Sequence, residues 1–364
     1  MKPVMILAGG TGGHVFPALA IANELQGRGV PIVWVGTENG IEAKLVPAAG
    51  FPLLTVHIQG IRRKGLLQYL SAPVIITRAL SESIRIVVKQ KPCVLLGMGG
   101  FVAGPCALVG VLLRKPLIIH EQNSVLGLTN RILAPICKKM FTGFPIVENN
   151  KKVEFCGNPV REDLRNIEEP DTRLAARTGP KRILIIGGSQ GAAALNQIVP
   201  PGIEKLSASI PVDIWHQTGK GRMHEVTTAY KKFNSNARVS EFVEDMAEAY
   251  QWADLIICRS GAITLAEIAA VGLAAVLVPY PYAVDDHQTS NASRFVAAGA
   301  AYLIPESDLN ADKLSELLAQ LVSDTKQLVS MARAAKRLNT GNASQKIADE
   351  CMLLGGLATV AGAA

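Results

Sequence analysis

The chain has 364 residues, 49% of them hydrophobic, six cysteines and a formal charge of +7. Its length exceeds what one growing core supports and predicts two domains, and its apolar content excludes a disordered chain. The cysteines, at 93, 106, 137, 156, 258 and 351, have neither C-x-x-C nor zinc-site spacing and read as reduced, cytoplasmic thiols, which sets aside a disulfide framework.

From the N-terminus, the strand VMILA is too short to be the apolar region of a secretory signal. GGTGGH, from Gly9 to His14, follows it. Next comes a helix with Ala18, Ile21, Ala22 and Leu25 on one face, Pro17 in its first turn and a stop at Gly27 and Gly29. PIVWVG, CVLLGMG, PLIIHEQN, KMFTGF and VEFCGN complete a first set of six strands. Beyond a polar stretch near Asn158 to Pro180, a second six follow: RILIIGGS, VDIWHQTG, ARVSEFVE, LIICRS, AAVLVPYP and AYLIPE. Strand and helix patterns alternating twice predict an α/β chain of two Rossmann-like domains with parallel sheets and helices on both faces.

Two segments raise the question of a membrane. Pro92 to Leu113 is uncharged over a length that could cross a bilayer, yet five glycines and two prolines divide it into strand CVLLGMG, a loop and helix CALVGVLL. Between Ile61 and Pro92, seven bases and one acid (Glu82) are mixed with Leu66, Leu67, Tyr69 and Leu70. That mixture fits a membrane-surface segment or, equally, a solvated basic helix face. Nucleic acid is not an expected partner, because Tyr69 is the only aromatic available there for stacking.

The two halves begin alike, with Gly9-Gly10-Thr11 after the first strand and Gly187-Gly188-Ser189 after the seventh, and a third glycine loop spans Gly97 to Gly104. Glycine before a helix start lets an anion approach unpaired N–H groups, so these loops predict phosphate contacts. They do not match the P-loop pattern, and the dinucleotide fingerprint begun at Gly10 ends on Val15. In CRSGAITLAE, a helix start would aim the N–H groups of Ala262, Ile263 and Thr264 at a diphosphate. Glu267 then stands where it could accept a ribose diol or simply favour the helix dipole. There is no D-x-D and no His/Asp cluster with ligand spacing, so no metal and no cofactor are expected, and a leaving diphosphate would rely on helix starts, hydroxyls and Arg161 or Arg259. His14 closes the first glycine loop with the titration range of a general base.

These segments, with GNPVR, EFVEDM and DDHQTSNA, run in family order over nearly the whole chain, and together they resemble the MurG family of cell-wall glycosyltransferases. The resemblance implies the GT-B architecture, two facing Rossmann-like domains around a cleft. Residues 1–160 would form an acceptor and membrane-facing domain, 161–340 the UDP-GlcNAc domain, and the helix in 341–364 would return to the first. It implies inverting transfer of GlcNAc from UDP-GlcNAc to the C4 hydroxyl of undecaprenyl-diphospho-MurNAc-pentapeptide (lipid I). The product is lipid II for peptidoglycan, made at the cytoplasmic face of the bacterial inner membrane.

Carried over by position, Thr11, Gly12, Gly13 and Asn123 would contact the donor from the first domain, and Arg161 and Ser189 the diphosphate. Val243 would meet the uracil, the span Ala262, Ile263, Thr264, Leu265, Ala266 and Glu267 the diphosphate and ribose, and Gln288 the sugar hydroxyls. His14 is the candidate base, and Glu121 and Asn196 match further polar positions. Arg62, Arg63 and Lys64 with Leu66, Leu67, Tyr69 and Leu70 become a docking patch for an anionic membrane. His287 stands where some relatives carry a second glutamine and Phe101 where some carry tyrosine. A soluble UDP-sugar epimerase would share the two-domain architecture, and a nicotinamide oxidoreductase could use Glu38 after the second strand. A non-catalytic nucleotide-binding module is the remaining alternative.

Overall fold

The computed structural model describes every residue except 59–65, 147–149, 176, 189–190, 234–236 and 358–364, with backbone alone for 66–72. Two compact units emerge, Met1–Arg161 with Gly341–Ala364, and Glu162–Thr340.

The first unit runs β1 (Val4–Leu7), α1 (Gly12–Gly27), β2 (Ile32–Gly36), α2 (Glu42–Ala48), β3 (Leu53–Thr55), α3 (Leu66–Gln90), β4 (Val94–Gly97), α4 (Ala103–Leu112), β5 (Leu117–Glu121), α5 (Leu128–Leu133), β6 (Lys139–Thr142) and β7 (Val153–Phe155). Its sheet has the order β3-β2-β1-β4-β5-β6-β7, and the pairs are parallel. The chain thus reverses its direction of strand addition between β1 and β4, the place where open sheets of this kind bind ligands. Leu7 pairs with both Val35 and Gly97, so the loops leaving β1 and β4 emerge side by side.

The second unit continues with α6 (Pro170–Ala175), β8 (Lys181–Ile186), α7 (Ala193–Ser207), β9 (Val212–Gln217), α8 (Met223–Lys232), β10 (Ala237–Ser240), α9 (Met246–Trp252), β11 (Leu255–Cys258), α10 (Ala262–Val271), β12 (Ala274–Leu277), α11 (His287–Ala297), β13 (Ala301–Leu303), α12 (Ala311–Ser323) and α13 (Thr325–Arg337). Its parallel sheet, β10-β9-β8-β11-β12-β13, repeats the reversal between β8 and β11. The last helix, α14 (Ala343–Gly355), belongs to the first unit.

Both faces of the first sheet are covered, as the near-continuous apolar strands require. Val4 and Ile6 pack with Ile21 and Leu25 of α1 and Ile347, Cys351 and Met352 of α14, while Met5 and Leu7 pack with Ala79, Val87, Cys106 and Ala107 on the other side. Arg28 at the end of α1 joins Glu24 and Asp349, fastening α14 to α1. In the second unit Ile183, Ile185, Leu195, Val199, Leu314 and Leu318 form the centre of the core.

Three local expectations are corrected. A seventh strand, β3, pairs with β2 at the edge of the first sheet; three half-buried residues after Pro52 are too few to display a period. Helix α1 starts at Gly12, inside the glycine loop, because extended Thr11 (φ −114°, ψ 160°) is its cap. Pro17 therefore lies in the second turn, and His14 lies in the first. Helix α4 likewise begins at Ala103, ahead of the run CALVGVLL.

Candidate active site

In the first unit the loop after β1 is anchored from beneath. Gly10 has φ +94°, and its N–H donates to Glu42 Oε2 at 3.0 Å. The other carboxyl oxygen of Glu42 accepts from the Thr37 N–H at 2.9 Å and the Thr37 hydroxyl at 2.7 Å. Past this anchor the His14 and Val15 N–H groups turn back to the Thr11 carbonyl at 3.1 and 3.2 Å, which begins α1. The half-buried His14 ring lies 3.4 Å from Thr11 Oγ1 through Nδ1 and packs over Gly99 and Gly100 of the loop after β4. A Cβ on Gly99 would come within 3.2 Å of that ring and 3.5 Å of Asn130 Nδ2, so glycine leaves the space that His14 and Asn130 border.

The end of β5 is organised by Glu121, which is 3% exposed. One of its oxygens accepts from the N–H and side-chain amide of Asn123 at 3.1 and 3.2 Å, the other from the Gly127 N–H and Asn130 Nδ2, both at 2.9 Å. Gln122 Nε2 donates to the Met98 carbonyl at 2.9 Å, joining this loop to the one after β4. His120 is wholly buried, and burial lowers its pKa to about 4. Arg161 stacks over Phe16 of α1 at 5.2 Å, and Phe16 in turn lies against Gly12.

The second unit repeats the anchored loop with different chemistry. The N–H of Gly188, whose φ is +83°, donates to Gln217 Oε1 at 3.0 Å; Gln217 Nε2 returns to the Gly188 carbonyl at 3.0 Å and reaches the Glu241 carbonyl at 2.8 Å. Asn196 is 4% exposed and donates to the Thr218 carbonyl at 3.0 Å, and its oxygen faces His216 Nε2 at 3.1 Å. Helix α10 begins at Ala262 behind extended Gly261, so Ala262, Ile263 and Thr264 form its first turn. Buried Ser260 donates to the Gln288 carbonyl at 2.8 Å, while Gln288 Oε1 accepts from the Tyr280 N–H at 2.9 Å. Glu267 Oε2 accepts from the Tyr250 hydroxyl at 2.9 Å, which turns the carboxyl group toward the α9 side of α10.

Residues 4–142 match the glycosyltransferase family 28 N-terminal domain, and residues 182–350 match the C-terminal domain of the same family. A Nitrosococcus oceani protein named UDP-N-acetylglucosamine--N-acetylmuramyl-(pentapeptide) pyrophosphoryl-undecaprenol N-acetylglucosamine transferase is 46% identical over 350 residues, covering 96% of this chain and 98% of its own. A Coxiella burnetii protein of the same name is 46% identical over 352 residues, with the same two coverages. The crystal structure of Acinetobacter baumannii MurG is 38% identical, with a TM-score of 0.83 over 97% of this chain and all of the other. The chain belongs to the MurG family.

It has the GT-B glycosyltransferase fold of MurG, with two parallel-sheet α/β domains. Of the expected MurG positions, the first unit gathers Thr11, Gly12, Gly13 and His14 on one loop. It links that loop through Gly99 and Asn130 to Glu121 and Asn123, and through Phe16 to Arg161. The second unit joins the helix start at Ala262–Thr264 to Gln288 through Ser260, with Glu267 one turn further on. Val243 is buried between β10 and α9, and Leu265 and Ala266 continue α10. Ser189, Arg62, Arg63 and Lys64 lie outside the described residues, as do the side chains of Leu66, Leu67, Tyr69 and Leu70.

Three polar residues were not legible in advance. Glu42 reads in sequence as an ordinary acid in the first turn of a helix, Gln217 as the end of a strand, and Tyr250 as an amphipathic helix position. Arg259, considered for the diphosphate, instead holds the Val278 and Pro279 carbonyls at 3.1 Å and pairs with Glu306.

Proposed function

We propose that this chain transfers GlcNAc from UDP-GlcNAc to the C4 hydroxyl of undecaprenyl-diphospho-MurNAc-pentapeptide, making lipid II with a β-1,4 linkage. The observation that carries the reading is 46% identity to MurG transferases over 96% of the chain. The glycine loops at both sheet reversals give it a physical basis. The second unit, 162–340, binds the donor: Val243 meets the uracil, Glu267 the ribose, and Ser189 and the start of α10 the diphosphate, to which Arg161 of the first unit also contributes. Gln288 holds the sugar hydroxyls. Residues 1–161 and 341–364 bind the acceptor and contribute Thr11, Gly12, Gly13 and Asn123 near the sugar.

The reaction is one in-line displacement. The acceptor oxygen bonds to the anomeric carbon as the bond to the UDP oxygen breaks on the opposite face, and the hydroxyl proton passes to His14. Helix starts stabilise the charge that collects on the leaving diphosphate. Asn196 and Glu121 act from below, by holding Thr218 and Asn123.

An acceptor anchored in a bilayer requires a membrane surface on the enzyme. No described helix is long and apolar enough to cross a membrane. Val74 and Ile84 of α3, Leu108 and Leu112 of α4, and Leu128 and Ile132 of α5 are nevertheless exposed, among exposed Arg78, Arg85, Arg114 and Arg131. These exposed residues are the proposed docking surface for the anionic cytoplasmic leaflet of the inner membrane, with Arg62, Arg63 and Lys64 as further bases outside the described residues.

Incubation with UDP-GlcNAc and a short-chain lipid acceptor tests the reading, and a β-1,4-linked disaccharide is the expected product. UDP-ManNAc would mean epimerisation, binding without reaction a nucleotide-binding module, and nicotinamide turnover an oxidoreductase; each would overturn it.

A further inference from the structure

Each glycine loop is held from beneath by one side chain at an equivalent place. Gly10 and Gly188 are each the second glycine of the Gly-Gly pair after β1 and β8, both with left-handed φ, and each donates its N–H to a side-chain oxygen, from Glu42 at the start of α2 beyond the neighbouring strand β2 or from Gln217 at the end of the neighbouring strand β9. In the second unit the oxygen belongs to the neutral amide of Gln217. In the first it belongs to Glu42, which is 0% exposed.

Glu42 fills a space that only glycines leave open. A Cβ on Gly9, Gly36 or Gly40 would lie 2.4, 2.6 or 2.1 Å from an atom of its side chain. Gly9, which reads in sequence as part of a phosphate loop, therefore makes room with Gly36 and Gly40 for this carboxyl group. Its oxygens accept two backbone N–H groups, from Gly10 and Thr37, and the Thr37 hydroxyl. The next residues along the chain are the Thr11 cap and the first turn of α1, which carries His14. Within the first unit the loops after β1 and β4 also touch, since a Cβ on Gly100 would sit 2.9 Å from the Gly9 carbonyl oxygen.

We propose that Glu42 is a positioning residue for glycosyl transfer: by holding the Gly10 N–H it sets where α1 begins and aims the His14 ring across Gly99 and Gly100. This rests on the transferase reading above. A shift of about 1 Å in a reacting group can cost about a hundredfold in rate, so one anchor beneath the loop has leverage on turnover.

The test is Glu42→Gln. The amide matches the carboxylate in size but has one acceptor oxygen and an NH2, so either the Gly10 or the Thr37 N–H must face a donor. We expect kcat to fall by about ten- to a hundredfold, the KM for UDP-GlcNAc to change by no more than about twofold because the uracil, ribose and most diphosphate contacts proposed above lie in the other unit, and the Gly10 amide to exchange hydrogen at least about tenfold faster. Thr37→Val keeps the carboxyl group and removes one of its partners; it should fold even if Glu42→Gln does not, with a smaller fall in kcat at unchanged KM. Wild-type kcat in both variants, or a KM that rises as far as kcat falls, overturns the positioning role. Unchanged exchange at Gly10 overturns the anchor. A wild-type protein that makes no disaccharide would defeat the transferase reading by itself, because the exchange measurement needs no substrate.

Discussion

His120 is completely buried beside the Gly157 carbonyl, at 3.0 Å from Nε2, and burial brings its pKa to about 4. His216 is equally enclosed, with a pKa near 3 from the same cause, and the geometry sets its tautomer: Nε2–H donates to Asn196 Oδ1 at 3.1 Å and Nδ1 accepts from Tyr230 at 3.0 Å. Both are neutral structural groups at physiological pH, whereas half-buried His14 lies on the first glycine loop and is the proposed base. His14→Ala should lower turnover by about 10²- to 10⁴-fold, the range of a lost general base, with UDP affinity unchanged by calorimetry; near-normal turnover would remove it from that role.

The depressed pKa of His216 also makes stability depend on pH. The unfolded chain takes up this proton below its ordinary value of 6.5 while the folded chain does not until about 3, so stability present above 6.5 is lost as pH falls. Between pH 6.5 and 4.5 that loss is about 2 kcal/mol. Urea unfolding of wild type and His216→Gln at both pH values checks it, since the stability gap between them should narrow by about that amount on acidification.

Among the elements, α1 and α10 show how loop and helix merge at the candidate site. Extended Thr11 and Gly261 end their loops, and the first helical turns carry Gly12, Gly13 and His14 in one unit and Ala262 to Thr264 in the other. The start of α10 was legible because Ser-Gly precedes an unbroken helical pattern. The start of α1 was not, because a helix opening on two glycines, with a proline further in, contradicts local propensity; contacts with Glu42 and the loop after β4 override it. Helices α3, α4 and α5 supply the proposed membrane face. Each base near an anionic surface contributes about 1 kcal/mol, so replacing Arg62, Arg63 and Lys64 with glutamine should weaken binding to anionic vesicles by about a hundredfold while UDP affinity holds. Unchanged sedimentation with vesicles would exclude the patch.

At the scale of the molecule, the duplication of a parallel α/β plan was written in the chain. Apolar runs alternating with helical patterns specify parallel sheets, and a Gly-Gly-hydroxyl step after the first strand of each half marks where each sheet reverses. These signals are local and periodic, so residue order alone determined the fold class and, through its motifs, the family. Which polar groups meet was decided only by the tertiary structure. Arg28 and Asp349 are 321 positions apart, Gly10 and Glu42 are 32 apart, and Gly188 and Gln217 are 29 apart. No period links such pairs; Arg28 and Asp349 meet because α14 packs on α1, and Glu42 and Gln217 are buried, so their polar groups must be satisfied by whatever the fold brings within reach. For that reason GGTGGH declared a loop at a helix start, while the carboxyl group that holds it in place became visible only in three dimensions.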